Sequence, residues 1–483
     1  MNERNNVLLV ILDSVRAKNT SLYGYERETT PFLSEFADRA TVYTQARAPS
    51  IHSIASHVSM FTGAHVEEHE ATRHTAQIDL DRTIWRELQN EGYATGLFTN
   101  NRIVANASNL GDGFQYRHEP EYPIAERLEN AVDGTVLKRA YFRGYDAFSR
   151  LTESVSENGL VSRVSDSIGR VADIGPSSET DADSGYRTLF GDEFTDSFLD
   201  WQSQQDDAWA ACINLMDTHS PYEPEATYDK WADERHWDIQ ENEKPSVWET
   251  LRGSGWDNIE ALEDLYDGTI RQADAILKDL VTKLEAKGEL SDTLLVVTSD
   301  HGEAFGEQSR LKENVRLRGH KWGIPEVLTH VPLVVSYPGQ EVGRTVDKVV
   351  SLTDTPDLLR AGATGDGEDP LTGRKEVLAS TYRIPEKKIK KYSSVENVND
   401  YIGPWRAVYE NGEDGIRKFA QKDDSFLTAD VAGADDATVV STAPHKRVQE
   451  AYEPLVDSEI LAEETSEIDD NLEEQLEDLG YIR

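Results

Sequence analysis

Short apolar runs recur along this chain at residues 7–12, 96–98, 208–216, 294–297 and 331–335, continuous rather than alternating with polar positions. Continuous runs of this length suit strands buried on both faces of a parallel sheet. Helix-period stretches lie between them. Thr30-Pro31 followed by Phe32, Leu33, Phe36 and Ala40 predicts a capped helix with proline in its first turn. Ile270, Ala273, Leu277, Leu280 and Leu284 line one face of a longer helix that Gly288 closes. The alternation predicts an α/β fold with a central, mostly parallel sheet flanked by helices. Residues 150–185 are rich in Ser, Asp and Gly and carry no apolar period, which predicts a polar surface insertion. After residue 366 the texture turns polar, with short strand-like pieces such as 405–409. The expected division is therefore a larger domain over 1–366 and a smaller C-terminal α+β subdomain over 367–483, ending in an acidic helical tail at 471–479.

The apolar runs end in chemically similar residues. Residues 7–12 end in Asp13, and 96–98 lead to Thr99, Asn100 and Asn101. The run at 208–216 ends in Asp217, Thr218 and His219; that at 294–297 ends in Thr298, Ser299, Asp300 and His301. Ligands of open α/β sheets bind beyond the carboxyl ends of the strands, so four strands would deliver carboxylates, imidazoles and amides to one edge. Asp13, Asp300 and His301 suit a borderline or hard divalent cation, with a hydroxyl as a fourth ligand. Each also has a structural reading. Asp13 serves equally as a turn or cap residue and His301 as a satisfied loop histidine, while Asp217 is either a second metal ligand or a strand-end hydrogen-bond acceptor.

Charge changes the picture of partners. The 483 residues carry 90 acidic against 49 basic side chains, a formal net charge of −41. Such a chain repels nucleic acid and anionic membrane. The acidity is spread along the whole length, and lysine is scarce beside arginine, as on surfaces kept hydrated in concentrated salt; a halophilic source is expected. The basic run Lys387, Lys388, Lys390 and Lys391 reads as a solvated loop or edge. Cys212, alone in the chain, reads as a small buried hydrophobe. The apolar stretch at 7–12 is too short to cross a bilayer and no cleavage-type site follows it, so a cytoplasmic chain without stable membrane insertion is expected. Nothing in the sequence signals an oligomeric state.

The hydroxyl belongs to the segment 48–63, APSIHSIASHVSMFTG, and here the sequence resembles the sulfatase family of the alkaline phosphatase superfamily. That family places Cys or Ser ten residues before a glycine, as Ser53 stands before Gly63. Residues 7–16, VLLVILDSVR, resemble its opening metal-binding strand; Tyr23-Gly24-Tyr25 with Thr29-Thr30-Pro31 resembles the segment after that strand. Thr298-Ser299-Asp300-His301-Gly302-Glu303 matches its second metal motif, and His219-Ser220-Pro221-Tyr222 its anion-binding histidine segment. Lys321, ten residues before Val331-Pro332-Leu333, matches its anion-binding lysine. The sequence also departs from the family. Ser14 replaces the second of two adjacent aspartates, His57 stands where an arginine assists oxidation to formylglycine, and Asn100 and Arg102 occupy positions of a lysine and a histidine. These departures resemble relatives that use an unmodified Ser or Thr, the phosphodiesterases and phosphoglycerol transferases.

The resemblance implies an alkaline-phosphatase-like fold and a sulfuric ester hydrolase working through a covalent intermediate on Ser53 or its formylglycine form. It implies one divalent cation held by Asp13, Ser53, Asp300 and His301: calcium first, with manganese, magnesium or zinc as alternatives. Lys321, His219 and Asn100 would bind ester oxygens, and His219 or His320 would protonate the leaving oxygen. The substrate is then a small-molecule, glycan-linked or lipid-linked sulfate or phosphate ester. The alternative is a phosphodiesterase or phosphoglycerol-transferase-like enzyme using unmodified Ser53. A non-catalytic binding protein with the same fold is a third reading, against which all four ligand positions are retained. Among the remaining candidates, His52 and His57 read as structural, Arg16 as a loop brace, and His65, His69 and His74 as lacking ligand spacing.

Overall fold

A computed structural model describes residues 4–118 and 191–462 except 244, 246, 366–368, 382–396, 413–414 and 435–436. The expected insertion at 150–185, the basic run at 387–391 and the acidic tail lie outside the described residues.

Eight strands form the central sheet: β1 (Asn6–Leu12), β2 (Thr41–Arg47), β3 (Ala94–Thr99), β4 (Tyr116–His118), β5 (Trp209–Leu215), β6 (Thr293–Thr298), β7 (Leu333–Ser336) and β8 (Arg344–Ser351). Their order is β8-β2-β7-β6-β1-β5-β3-β4. Only β7 runs antiparallel to its neighbours, so the sheet is mostly parallel. Residues Val7, Leu9 and Ile11 of β1 enter one apolar cluster, while Leu8, Val10 and Leu12 are equally buried towards the opposite face. Helices therefore cover both faces, which is why these strands read as unbroken apolar runs.

Among the helices that accompany the sheet are α1 (Pro31–Phe36), α2 (Ser53–Thr62), α3 (Gly191–Gln202), α4 (Leu262–Lys287) and α5 (Thr355–Thr364). The expected face of α4 is wholly buried, and Gly288 ends the helix in the left-handed region. The expected cap of α1 is different. Thr30 makes no capping bond with its side chain; the carboxylate of Asp274 on α4 accepts the N–H groups of Phe32 and Leu33 instead. Among the described residues no helix is long and apolar enough to cross a membrane.

The second sheet is an antiparallel meander of β9 (Glu376–Thr381), β10 (Trp405–Asn411), β11 (Ile416–Lys422), β12 (Ser425–Val431) and β13 (Ala437–Ser441). Along β11 buried and half-buried positions alternate, as a sheet with one apolar face requires. One face packs on Trp322, Val327, Leu328 and Ile51; the helix Arg447–Tyr452 packs against Val408 on the other. The larger sheet and its helices run to Thr364 and the second sheet begins at Glu376, on either side of the expected 366/367 division. Both belong to one compact unit. Ile51 and the carbonyl of Pro49, which accepts the Ser380 N–H at 3.0 Å, join the loop before Ser53 to this sheet.

Candidate active site

Asp13 leaves the end of β1 with its N–H donated to Leu215 of β5 at 3.0 Å. Two donors fix its carboxylate: the Ser14 hydroxyl at 2.8 Å on one oxygen and the Asn101 amide at 3.1 Å on the other. Ser14 adopts a φ of 63°, and its N–H reaches Asp300 Oδ1 at 3.1 Å. The loop after β6 is tied down similarly. Ser299 Oγ accepts the Val15 N–H and donates to the His301 carbonyl, and Asp300 Oδ1 also accepts the His301 N–H. Gly302 is required here by contact, since a Cβ would lie 2.0 Å from the Val327 carbonyl oxygen.

These strand ends bring the ligand atoms of Asp13, Asp300 and His301 within 4.8 Å of one another, all fully buried. His301 Nδ1 donates to the Gly302 carbonyl at 2.9 Å, which leaves Nε2 with its lone pair towards the cluster. Ser53 Oγ lies 3.2 Å from that Nε2. Ser53 is the first residue of α2, and His52 before it makes no side-chain cap. The first-turn amides of this ten-residue helix thus favour negative charge at the serine.

Three observations fit a divalent cation. Asp300 Oδ2 is buried without a hydrogen bond, although buried carboxylate oxygens are normally satisfied. Burial disfavours a charged His301, yet Asp300 and Asp13 outweigh it and raise its pKa, the mark of uncompensated negative charge. The donor set itself, two carboxylates, one imidazole and one hydroxyl, is chemically suited to such an ion.

Around this centre stand the other expected residues. His219, nearly buried after β5, and His320 have ring centroids 5.5 Å apart, and His320 lies 4.3 Å from the His301 ring. Lys321 comes next in the chain, its charge acting on both Glu303 and His320. Burial first, then His301 and His219, holds the His320 pKa well below its ordinary value. Asn100 sits half-buried just beyond β3, and it is the next residue, Asn101, that reaches Asp13. Asp217 binds the Gly191 N–H at the start of α3 and the Gln272 amide, the acceptor of the two roles considered for it. Arg16 is buried between Glu263 and Glu307 and donates to the Glu303 carbonyl at 3.0 Å, bracing the loop that carries Asp300 and His301. His57 donates from Nδ1 to the Ser53 carbonyl at 2.8 Å and lies 3.7 Å from Asp300 Oδ2. His69 pairs with Ser59, and His65 caps its own short helix.

Sequence reasoning missed Asn101 and Glu303. Thr99 is the last residue of β3, and a period of two from it points to Asn101 rather than Asn100. For Glu303 the local sequence carries no signal beyond membership of the metal motif.

Comparison with known proteins agrees with this geometry. The sulfatase family model matches residues 5–360. The chain is 31% identical to arylsulfatase K of Bos taurus over 96 residues, 20% of this chain and 16% of that protein. It is 26% identical over 253 residues to the low-salt glycan biosynthesis sulfotransferase Agl7 of Haloferax volcanii, 46% of this chain and 60% of that protein. The chain thus spans less than two thirds of either relative. The phosphonate monoester hydrolase of Agrobacterium radiobacter shares the fold, with a TM-score of 0.56 over 93% of both chains at 16% identity. A match running from before β1 to within α5 encloses all the strand ends that supply this site, and this chain belongs to the sulfatase family.

Proposed function

We propose that this chain cleaves a sulfate ester of a small molecule or glycan through a covalent intermediate on Ser53. The observation that carries the reading is the Ser53 hydroxyl at the uncapped start of α2, 3.2 Å from His301 Nε2, the nitrogen that also lies 3.4 Å from the unsatisfied Asp300 oxygen. A divalent cation held by Asp13, Asp300, His301 and Ser53 would lower the pKa of the serine hydroxyl and offset the charge of the ester oxygens. Lys321, His219 and Asn100 would bind those oxygens, and the amides of α2 would favour charge at the attacking oxygen. His219 or His320 would hold the proton for the leaving group. The family, the sulfotransferase of Haloferax volcanii and arylsulfatase K support sulfuryl chemistry.

The donor set favours manganese or zinc over the calcium expected from resemblance. Calcium takes about six to eight oxygens. Here one ligand is a nitrogen, and Ser14 turns its hydroxyl onto Asp13 where the family has a second aspartate.

A second reading, phosphoryl transfer on an unmodified Ser53, is favoured by His57. This imidazole is buried in α2 and bonded to the Ser53 carbonyl where the family's arginine would stand. Peptide mass spectrometry of the Ser53 segment from the native host separates the two. Formylglycine at that position supports the sulfatase reading, and an intact serine moves phosphate esters to the front. Turnover retained by Ser53→Ala on every sulfate and phosphate ester tried would remove both.

A further inference from the structure

Glu303 closes the loop that carries Asp300 and His301, yet it lies outside the Asp13–Asp300–His301 group. It is only 3% exposed. Its backbone carbonyl is held by Arg16, and its Oε2 lies 2.9 Å from His320 Nδ1. His320 in turn lies against the His301 ring and near that of His219. The turn before it is shaped for this approach. Gly319 has a φ of 59°, and a Cβ there would sit 3.1 Å from Glu303 Oε1 and 3.5 Å from Lys321 Cε. A carboxylate placed in such a dry position is unfavourable unless its partners need it. Here the carboxylate meets an imidazole of the site itself.

We propose that Glu303 is a positioning residue for His320: by accepting the Nδ1–H it fixes one tautomer and one ring orientation, and leaves Nε2 to face the ester bound at Ser53. The role rests on the sulfate-ester reading of the site. A carboxylate behind a histidine commonly sets which ring nitrogen is available in front. Arg16 holds the backbone of the same residue, and the loop bearing the cation ligands and the loop bearing His320 and Lys321 are joined both by this side chain and by the paired backbone hydrogen bonds of Ala304 and Gly319.

The test uses the full chain loaded with manganese or zinc and 4-nitrophenyl sulfate as probe. Glu303→Ala is expected to lower kcat about 10- to 100-fold, the usual effect of losing an orienting partner, with KM and bound metal nearly unchanged. Glu303→Gln, whose amide oxygen still accepts the Nδ1–H, is expected to recover most of the rate. Combining Glu303→Ala with His320→Ala should be no slower than the slower single variant. Multiplying losses, an equally poor Glu303→Gln, or loss of bound metal in Glu303→Ala would overturn the proposal. A second readout needs no turnover. Nitrogen NMR of isotope-labelled histidine at alkaline pH should show His320 protonated on Nδ1 in the wild type and Glu303→Gln, and not in Glu303→Ala. An unchanged His320 tautomer in Glu303→Ala refutes the role, whatever Ser53→Ala says about the reaction.

Discussion

Asp300→Asn separates the cation site from the fold, because the two oxygens of this carboxylate have different partners. Oδ1 accepts the N–H groups of Ser14 and His301 at 3.1 and 3.0 Å, and an amide oxygen can accept both. Oδ2 has no hydrogen bond, and the amide NH2 that replaces it cannot ligate a cation. The loop therefore survives while one ligand disappears. The charged atoms of Asp13 and Asp300 lie within 4.8 Å; at that separation two like charges repel by about 3.5 kcal/mol at an effective dielectric constant of ~20. The N–H and amide donors already on these carboxylates offset part of this, so the full repulsion is not recovered. In chelator, Asp300→Asn should be no less stable than the wild type and up to about 3 kcal/mol more stable. With free metal at ~100 times its Kd the wild type should gain about 2.7 kcal/mol. At about 1 kcal/mol per kelvin of unfolding entropy for a chain of this length, that is a rise in Tm of ~3 °C. The variant should gain little and lose its activity. Thermal melts with and without metal, beside elemental analysis of bound metal, measure both effects. Stoichiometric metal with an undiminished rise in Tm would refute the site. So would a metal-free variant destabilised by more than ~1 kcal/mol.

Asn101→Ala removes the amide on Asp13 Oδ2 and should weaken metal binding about 10- to 100-fold without unfolding the chain, read by titration calorimetry with manganese. Lys418, 2% exposed on β11, binds Glu326 at 2.7 Å. Lys418→Met leaves that buried carboxylate, among the described residues, with only the exposed Arg310 guanidinium, at 3.5 Å, as an ion-pair partner and should cost up to about 3–5 kcal/mol in urea unfolding, most of it restored by adding Glu326→Leu. Burial pushes the Glu326 carboxyl up and the Lys418 ammonium down, but each partner outweighs burial for the other. The net shifts are down for the acid and up for the base. The pair's contribution is then complete between about pH 4.3 and 10.4, lost below as Glu326 takes its proton and above as Lys418 gives one up. Urea midpoints of the wild type and the double variant should run parallel across that window. With a net charge of −41, Tm should fall as salt is removed, because acidic self-repulsion is then unscreened; an unchanged Tm after dialysis into low salt would count against a halophilic surface.

The parts of this site that can be read from sequence are those fixed by one strand and its end. A strand buried on both faces of a parallel sheet must be apolar throughout, so the first polar residue after it marks where the chain leaves the core. Asp13 after β1 and Asp217 after β5 follow that rule, and Asp300 comes one residue after Ser299, the first polar residue beyond β6. Strand β2 escapes it because its polar residues are satisfied inside the fold, by one another and by the second sheet. Gln45 accepts from Arg47, whose guanidinium lies 4.8 Å from the Tyr409 ring on β10, so a stretch that reads as half-polar is almost wholly interior. The capping of α1 by Asp274 has the same cause: Thr30 is a good local cap, but its hydroxyl accepts the Leu22 N–H instead. Asn100 and Asn101 are indistinguishable by type, and only the exit of β3 after Thr99 decides which one turns to Asp13. Strand ends thus determine which residues arrive at the edge, whereas the loops beyond determine which of them touch. A single glutamate two residues past His301 acquires its partner only when a turn from residues 319–321 is folded onto it. No local pattern encodes that approach, and the pairing of Glu303 with His320 is for that reason visible only in three dimensions.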